Sequence, residues 1–135
     1  MKRKLLEYLK KIDDVEEEFI KNENNVLAPY LLKKSRTVID TDKTIREGAM
    51  IDIMKQPRFV DMPEHVHPYM EIIYMFSGSA THFVNKTEVK LEVEDLLFIK
   101  QGTPHSANAS GYNDIGIKIF VLPEFLHYPL SMLNE

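Results

Sequence analysis

Two histidines and a glutamate stand close together in the middle of the chain, and a third histidine follows at His105. His65 and His67 are two residues apart, a spacing that places both side chains on the same face of a β-strand. Glu71 lies four residues after His67, beyond a bend expected at Pro68. It can therefore return to the same place from the next strand. We expect the three imidazoles and the carboxylate to converge inside one fold.

Three imidazoles and one carboxylate form a ligand set that suits transition metals and does not suit Ca²⁺ or Mg²⁺. The candidate cofactor is thus a divalent transition metal, which would be Zn, Ni, Mn or Fe. Ligand residues do not establish occupancy by themselves, because a metal site also depends on the groups that orient its ligands. The sequence consequently assigns no cofactor outright. The same side chains can instead offer hydrogen bonds to a small molecule.

Neighbouring positions complete a predicted ligand-binding set. Strand parity with Glu71 places Met75 on the inner face, and Phe83 is added from the following strand. His82 is interpreted as an outward or core residue and not as a ligand, and His127 as a surface residue. No general acid or base is evident beyond these groups, so no catalytic residue is predicted. The predicted ligand-binding residues are His65, His67, Glu71, His105, Met75 and Phe83, and the first four are also the candidate metal ligands.

The elements that must position these side chains are short strands between residues 36 and 122. Apolar runs alternate there with turn sequences such as Asn85-Lys86. The pattern predicts nine strands, of which the first spans 36–39 and the last 115–122. Many short strands at regular spacing indicate a β-sandwich or a β-barrel. At 135 residues the chain has the length of one domain.

Helical patterns flank the strands at both ends. Apolar residues in 1–22 recur at spacings of three and four, which predicts one amphipathic helix, and its acidic run at 13–18 is expected to face solvent. Residues 123–135 begin with Pro123, which suits a first helical turn, and Pro129 is expected to kink that helix. The segment is interpreted as the start of a helical linker and dimerisation segment. Its apolar residues, which predict a homodimer, are Phe125, Leu126, Leu130 and Leu133.

Composition excludes several classes of protein. The apolar fraction of 44% is that of an ordinary globular protein, and a net charge of -4 argues against binding of nucleic acid by this chain alone. The absence of cysteine excludes disulfides and thiolate metal sites. No apolar run approaches the ~20 residues that a membrane-spanning helix needs. We expect a cytoplasmic protein with no membrane partner.

The histidine segment resembles the first motif of the cupin superfamily. That motif is His-x-His, three or four residues, Glu, six residues and Gly. His65, His67, Glu71 and Gly78 match it in every position and gap. The resemblance implies a mainly β fold of the cupin type, a double-stranded β-helix or jelly-roll barrel, with an N-terminal amphipathic helix and a C-terminal helical segment.

The second cupin motif is matched less completely. Gly102 and His105 stand at their expected positions. Glu94 occupies the place of the first Gly, Lys100 that of Pro and Ala109 that of Asn. All four metal-ligand positions of the family are filled, and the departures fall mostly on turn residues. They therefore affect local geometry more than ligand identity.

Within the cupins, the stretch from 58 to 125 is similar to the N-terminal sensing domain of AraC-type transcription regulators. That resemblance implies a domain, covering 1–135, that binds a small polar metabolite such as a sugar and dimerises. DNA would be bound only by a helix-turn-helix domain C-terminal to it. A stand-alone metal-dependent cupin enzyme, either a dioxygenase or an isomerase, is the alternative function, and a non-catalytic sugar-binding or storage cupin is a third. Fold alone does not separate them.

Overall fold

Eight strands form two four-stranded antiparallel sheets in the computed structural model, which describes residues 2–32, 35 and 37–127. The first sheet has the order β1-β8-β3-β6 and the second β2-β7-β4-β5. The mainly β architecture of the prediction is confirmed, although eight strands replace the nine expected. The strands are β1 (Ile51–Lys55), β2 (Met62–His65), β3 (Met70–Ser77), β4 (Ala80–Val84), β5 (Thr87–Leu91), β6 (Leu96–Ile99), β7 (His105–Ala107) and β8 (Ile115–Val121).

Side-chain alternation along β3 separates the interior of the barrel from its outer face. Glu71, Ile73 and Met75 are buried, whereas Tyr74 between them is only half-buried. Ile73 and Met75 pack in one core cluster with Leu91 of β5 and with apolar residues of β4 and β6. The apolar cluster lies along β3 beyond Glu71, so the polar residues gather towards the other end of this strand.

The N-terminal segment forms two helices and not the single helix predicted for 1–22. Helix α1 spans Lys2–Lys10 and helix α2 spans Asp14–Lys21. The break occurs because Asp13 caps α2: its carboxylate accepts a hydrogen bond from the Glu16 backbone N–H at 2.8 Å. The Glu16 carboxylate accepts in return from the Asp13 N–H at 3.2 Å. This reciprocal capping box starts a new helix at that point.

Glu16 is buried, which corrects the prediction for this one residue of the acidic run. Asp14, Glu17 and Glu18 are exposed, as expected. Its carboxylate forms two hydrogen bonds with the buried Arg58 guanidinium, at 2.7 and 2.9 Å, and an ion pair with the Lys55 ammonium at 2.8 Å. The guanidinium also donates to the backbone carbonyls of Tyr112 and Lys10. Burial alone would raise the pKa of Glu16, but hydrogen bonds from Arg58 and Lys55 lower it to about 2. This network ties both helices to the barrel.

The predicted strand at 36–39 is wrong. Val38 and Ile39 form only isolated bridges, to Val66 and Leu31, and Arg36 lies outside the described residues. The bridge to Val66 still matters for the site. The Val66 backbone donates to Thr37 and accepts from Ile39, which holds the backbone between the two histidines after β2 has ended.

The C-terminal segment is helical over 123–127. Phe125 and Leu126 are exposed there, while Leu130 and Leu133 lie outside the described residues. The predicted dimerisation segment consequently stays a prediction. Among the helices that the structure describes, none is long and apolar enough to cross a membrane.

Two turn positions explain how this chain meets and departs from the cupin motifs. Gly78 has a φ of +68°, and a Cβ there would lie only 2.8 Å from the Asn113 carbonyl oxygen, so only glycine fits. Glu94 stands where the second motif has its first glycine, and its φ is +76°. A residue with a Cβ is strained in this left-handed region. The glutamate that replaces the glycine of the motif therefore strains the backbone of the turn before β6.

Replacing Arg58 with Met should lower the free energy of unfolding by about 3–5 kcal/mol, because it leaves the buried Glu16 carboxylate without its main partner. The matched control is Arg46→Met, which removes an ion pair between Asp52 and a largely exposed Arg46 side chain. That change should cost less than about 1 kcal/mol. Urea denaturation of both variants measures the difference, and equal losses would contradict the prediction.

The lowered pKa of Glu16 predicts that the stability difference between the wild type and Arg58→Met depends on pH. The pKa of Glu16 is about 2 in the folded protein against an ordinary value of 4.5. The stabilisation by Arg58 should thus be complete above pH 4.5 and should decline as the pH falls towards 2. Urea denaturation at pH 7, 4 and 3 should show the stability gap between wild type and Arg58→Met narrowing. A gap that widens at low pH would contradict the assignment.

Glu94→Gly should stabilise the protein by about 0.5–1 kcal/mol, because glycine adopts a positive φ without strain. The control is Glu92→Gly, which removes the same charge two residues earlier, at a position that is absent from the positive-φ residues. There glycine should destabilise by about 0.5–1 kcal/mol. If the melting temperature rises for Glu94→Gly and falls for Glu92→Gly, backbone strain at Glu94 is the cause. Equal shifts of the two melting temperatures would point to the lost charge.

Candidate metal and ligand site

Three histidines meet where β2 ends and β7 begins. His65 and His105 are directly opposed in the β2–β7 ladder, and their ring centroids are 4.3 Å apart. His67, just after β2, has its ring centroid 4.7 Å from that of His65 and 4.6 Å from that of His105. One nitrogen of each ring lies within 4.8 Å of the other two. The structure thus brings the three imidazoles to one point.

Backbone carbonyls orient two of the three rings. The Nδ1 of His65 is 2.8 Å from the Pro63 carbonyl oxygen, and the Nδ1 of His105 is 2.8 Å from that of Thr103. A carbonyl oxygen can only accept, so each Nδ1 must carry the proton. The Nε2 of each ring is then left with a free lone pair. This is the arrangement in which histidine coordinates a metal.

Glu71 completes the group from the inner face of β3. Its carboxylate oxygens lie 3.8 Å from His67 Nδ1 and 3.7 Å from His105 Nε2. The side chain is buried, and neither oxygen has a hydrogen-bond partner among the described residues. Buried carboxylates nearly always have partners. The unsatisfied oxygens indicate a place for a ligand, a water or an ion.

Lys118 is the residue of this site that sequence analysis missed. It lies on β8 and is 6% exposed, with its Nζ 3.6 Å from Glu71 Oε1. Its neighbours in the strand, Ile117 and Ile119, are less buried than the lysine itself. A lone lysine between two isoleucines would be assigned to the solvent face on hydropathy. The only available signal was its strand parity with Phe120, which also faces inward.

Burial keeps the imidazoles neutral. It lowers the pKa of His65 to about 3, with nearby His105 and Lys118 acting in the same direction. Burial likewise lowers the pKa values of His67 and His105. At neutral pH these rings therefore present lone pairs and carry no charge. Glu71 and Lys118 form the charged pair within the cluster.

The donor set fits a divalent transition metal. His67 Nδ1, His105 Nε2 and both oxygens of Glu71 are buried without hydrogen-bond partners among the described residues. A metal ion held by the three imidazoles and this carboxylate would satisfy them. Lys118 opposes such binding, because its ammonium lies against the carboxylate that the metal would use. We therefore expect a metal to bind more weakly here than four ligands alone suggest.

The structure separates the two remaining predicted ligand-binding residues from the cluster. Met75 is interior, as strand parity predicted, but it packs in the apolar cluster with Ile73. Phe83 lies on the opposite face of β4 from His82, which is buried with both ring nitrogens unpartnered among the described residues. The ligand-binding roles of Met75 and Phe83 stay predictions. The interior position on β4 is that of His82.

A cavity of about 230 Å³ lies beside the histidines. His65, His67 and Lys118 are among its polar lining residues, with Lys43 and Thr44. The other walls are largely apolar and come from two sources, the barrel and the N-terminal segment. The barrel contributes Met54, Met62 and Phe120, and the N-terminal segment contributes Val15, Phe19, Leu27 and Tyr30.

Tyr69 links the cluster to this cavity wall. Its ring stacks on His67 with centroids 4.7 Å apart and planes 7° from parallel, and its hydroxyl donates to Thr44 Oγ1 at 2.9 Å. Burial raises the pKa of Tyr69 well above its ordinary value. The phenol therefore stays neutral and fixes the orientation of the His67 ring.

Comparison with known proteins identifies the fold. Residues 54–114 match the protein family described as Cupin domain, and the match includes all four converging residues. The mainly β architecture with two antiparallel sheets is consistent with a double-stranded β-helix, the fold expected of a cupin domain. No curated protein matches the chain in sequence, and the resemblance to AraC-type regulators stays a prediction.

Several solved structures are similar to part of the chain. The DMSP lyase DddQ from Ruegeria pomeroyi is 20% identical with a TM-score of 0.46, over 54% of this chain and 38% of the lyase. KdgF from Halomonas sp. is 21% identical with a TM-score of 0.46, over 53% of this chain and 66% of that protein. A predicted oxalate decarboxylase from Thermotoga maritima is 26% identical with a TM-score of 0.45, over 53% and 64% of the two chains. The matched part of the chain thus spans less than two thirds of the length of each of these proteins. The likeness assigns the chain no activity.

His105→Ala should weaken binding of Zn²⁺ or Ni²⁺ by at least about tenfold, since it removes one of the converging ligands. The control is His127→Ala, an exposed histidine in the helical turn at 123–127, which should change nothing. Competition with a fluorescent chelator measures both affinities.

Removing the metal from the wild type should leave the circular dichroism spectrum unchanged, because the apolar cores do not depend on it. Unfolding on chelation would contradict that expectation.

Proposed function

We propose that this cupin domain is the small-molecule-sensing and dimerisation domain of an AraC-type transcription regulator. A separate helix-turn-helix domain would contact DNA. The net charge of -4 supports this division, because binding to DNA phosphates requires clustered Lys and Arg. The ligand would be a small molecule with at least one polar group, such as a sugar, held at the histidine end of the cavity.

One observation supports the proposal: the cavity is shared between the barrel and helix α2. Val15 and Phe19 of α2 line it together with His65 and His67 of the barrel. A ligand that contacts both sides binds best when α2 is correctly placed. Occupancy of the cavity therefore favours one position of the helix, which is the requirement for a sensor.

The Glu16–Arg58 network supplies a route for this coupling. Glu16 lies next to Val15 in α2 and is fixed to Arg58 by hydrogen bonds. The same guanidinium donates to the Lys10 carbonyl at the end of α1. A shift of α2 in response to the ligand would thus be transmitted to α1 through one connected set of hydrogen bonds.

A metal-dependent cupin enzyme is the second candidate function. The unpartnered atoms of His67, Glu71 and His105 favour it, because they fit a transition metal. A bound metal would supply Lewis-acid or oxygen-activating chemistry. Against it, the neutral imidazoles would be consumed as ligands and the Tyr69 hydroxyl is already bonded to Thr44. Few groups are then left near the cavity to transfer a proton.

A ligand of the cavity should raise the melting temperature and slow hydrogen exchange in α2. Any molecule that binds only the folded state stabilises it, by about 2.7 kcal/mol at one hundred times its Kd. Val15→Phe, which fills the cavity from the helix side, should abolish the shift. Ile20→Phe is the matched control, because Ile20 is 41% exposed on the same helix, and it should keep the shift. A thermal-shift screen of sugars and other metabolites provides the measurement.

Two results would contradict the sensor proposal. One is a ligand that stabilises the protein equally in Val15→Phe and leaves the hydrogen exchange of α2 unchanged. The other is sustained turnover of a small substrate when Zn, Ni, Mn or Fe is added. The second result would establish the enzyme in place of the sensor.

A further inference from the structure

We propose that the cavity takes a small monocarboxylate with an apolar body, and that Lys118 binds its carboxylate group. The inference rests on the proposed function in one respect, since it assumes that the cavity binds a small molecule. It goes further in naming the chemical class of the ligand and the side chain that selects it.

The Lys118 ammonium is only loosely paired. Lys118 lines the cavity, and the carboxylate oxygen that pairs with its Nζ, Glu71 Oε1, is 3.6 Å away, which is too far for a good hydrogen bond. A lysine ammonium carries three donors and no acceptor, and groups this deeply buried normally find partners. The ammonium is therefore placed to bind an acceptor that enters the cavity.

The charges around the cavity favour an anion over a cation or a neutral group. Lys118 and Lys43 both line it, whereas no Asp or Glu is among its described lining residues. Glu71, whose Oε1 is 3.6 Å from Lys118 Nζ, is not among the residues that line the cavity. Of this pair, a ligand in the cavity therefore contacts the lysine, and an anionic group can share the ammonium with Glu71.

The remaining walls determine the rest of the ligand. Away from His65, His67 and Lys118 the lining is dominated by apolar and aromatic side chains, including Phe19 and Phe120. The Thr44 hydroxyl is already engaged with Tyr69. A sugar carries hydroxyl groups all round, and most of them would lose water here without gaining a partner. A molecule with one polar end and an apolar body loses nothing comparable.

The size of the cavity limits the ligand to a compact one. Its volume of about 230 Å³ is below the range of about 300–1,000 Å³ that is usual for drug-sized ligands. A single aromatic ring or a short alkyl chain with one carboxylate suits this space. Long-chain fatty acids would not fit within it.

The test compares carboxylates with their neutral amides. Benzoate and hexanoate are titrated into the full chain by calorimetry, beside benzamide and hexanamide, in buffer containing EDTA so that no metal binds the carboxylate. We expect the better of the two carboxylates to bind at least tenfold more tightly than its amide. Equal affinity of acid and amide, or binding of arabinose or glucose but of neither acid, would overturn the inference. A stabilising sugar would still support the proposed sensor, so the two failures are distinguishable.

Variants assign the preference to Lys118. Lys118→Met should reduce the tenfold preference for carboxylate over amide to less than about twofold, because the carboxylate loses its charge partner, whereas both ligands lose the same hydrogen-bond donor. Lys90→Met, at an exposed lysine on β5, is the matched control and should keep the preference. If Lys118→Met does not fold because Glu71 loses its counter-ion, the double variant Lys118→Met with Glu71→Gln removes both charges together. A carboxylate preference that survives in the folded variant would overturn the role of Lys118.

Discussion

A buried ion pair between Glu16 and Arg58 holds the N-terminal helices against the barrel. The carboxylate uses both of its oxygens on the guanidinium, and the guanidinium also donates to backbone carbonyls of Lys10 and Tyr112. A buried pair of charges is tolerated only when its hydrogen-bonding groups are satisfied in this way. Since α2 supplies one wall of the cavity, the position of that wall depends on this pair.

The barrel interior is divided between an apolar end and a polar end. Ile73 and Met75 fill the first with close-packed side chains, and the histidine cluster occupies the second. Burying so many polar groups is costly unless they are neutral or paired. Neutral imidazoles and the Glu71–Lys118 pair reduce this cost. The apolar end stabilises the fold, which leaves the polar end free for binding.

Glu71 has a central place in the chemistry of that polar end. It lies between the histidines and Lys118, so a metal ion and the lysine ammonium would share the same carboxylate. A metal would draw the carboxylate towards the imidazoles and loosen its hold on the lysine. An anionic ligand would instead draw on the lysine from the cavity side. A metal ion and an anionic ligand would therefore affect each other's binding through Glu71.

Local sequence predicted the mainly β fold and the shared location of His65, His67 and Glu71, because strand alternation and residue spacing are properties of short segments. His105 was placed with them by the resemblance to the cupin motifs. Local sequence was insufficient wherever a distant partner decided the outcome. Glu16 looks like a solvated helix residue until Arg58, 42 positions later, is packed against it. Lys118 looks exposed until β8 is placed beside β3 and the lysine meets Glu71. Burial of a charge depends on what the fold brings next to it, and only the tertiary structure contains that information.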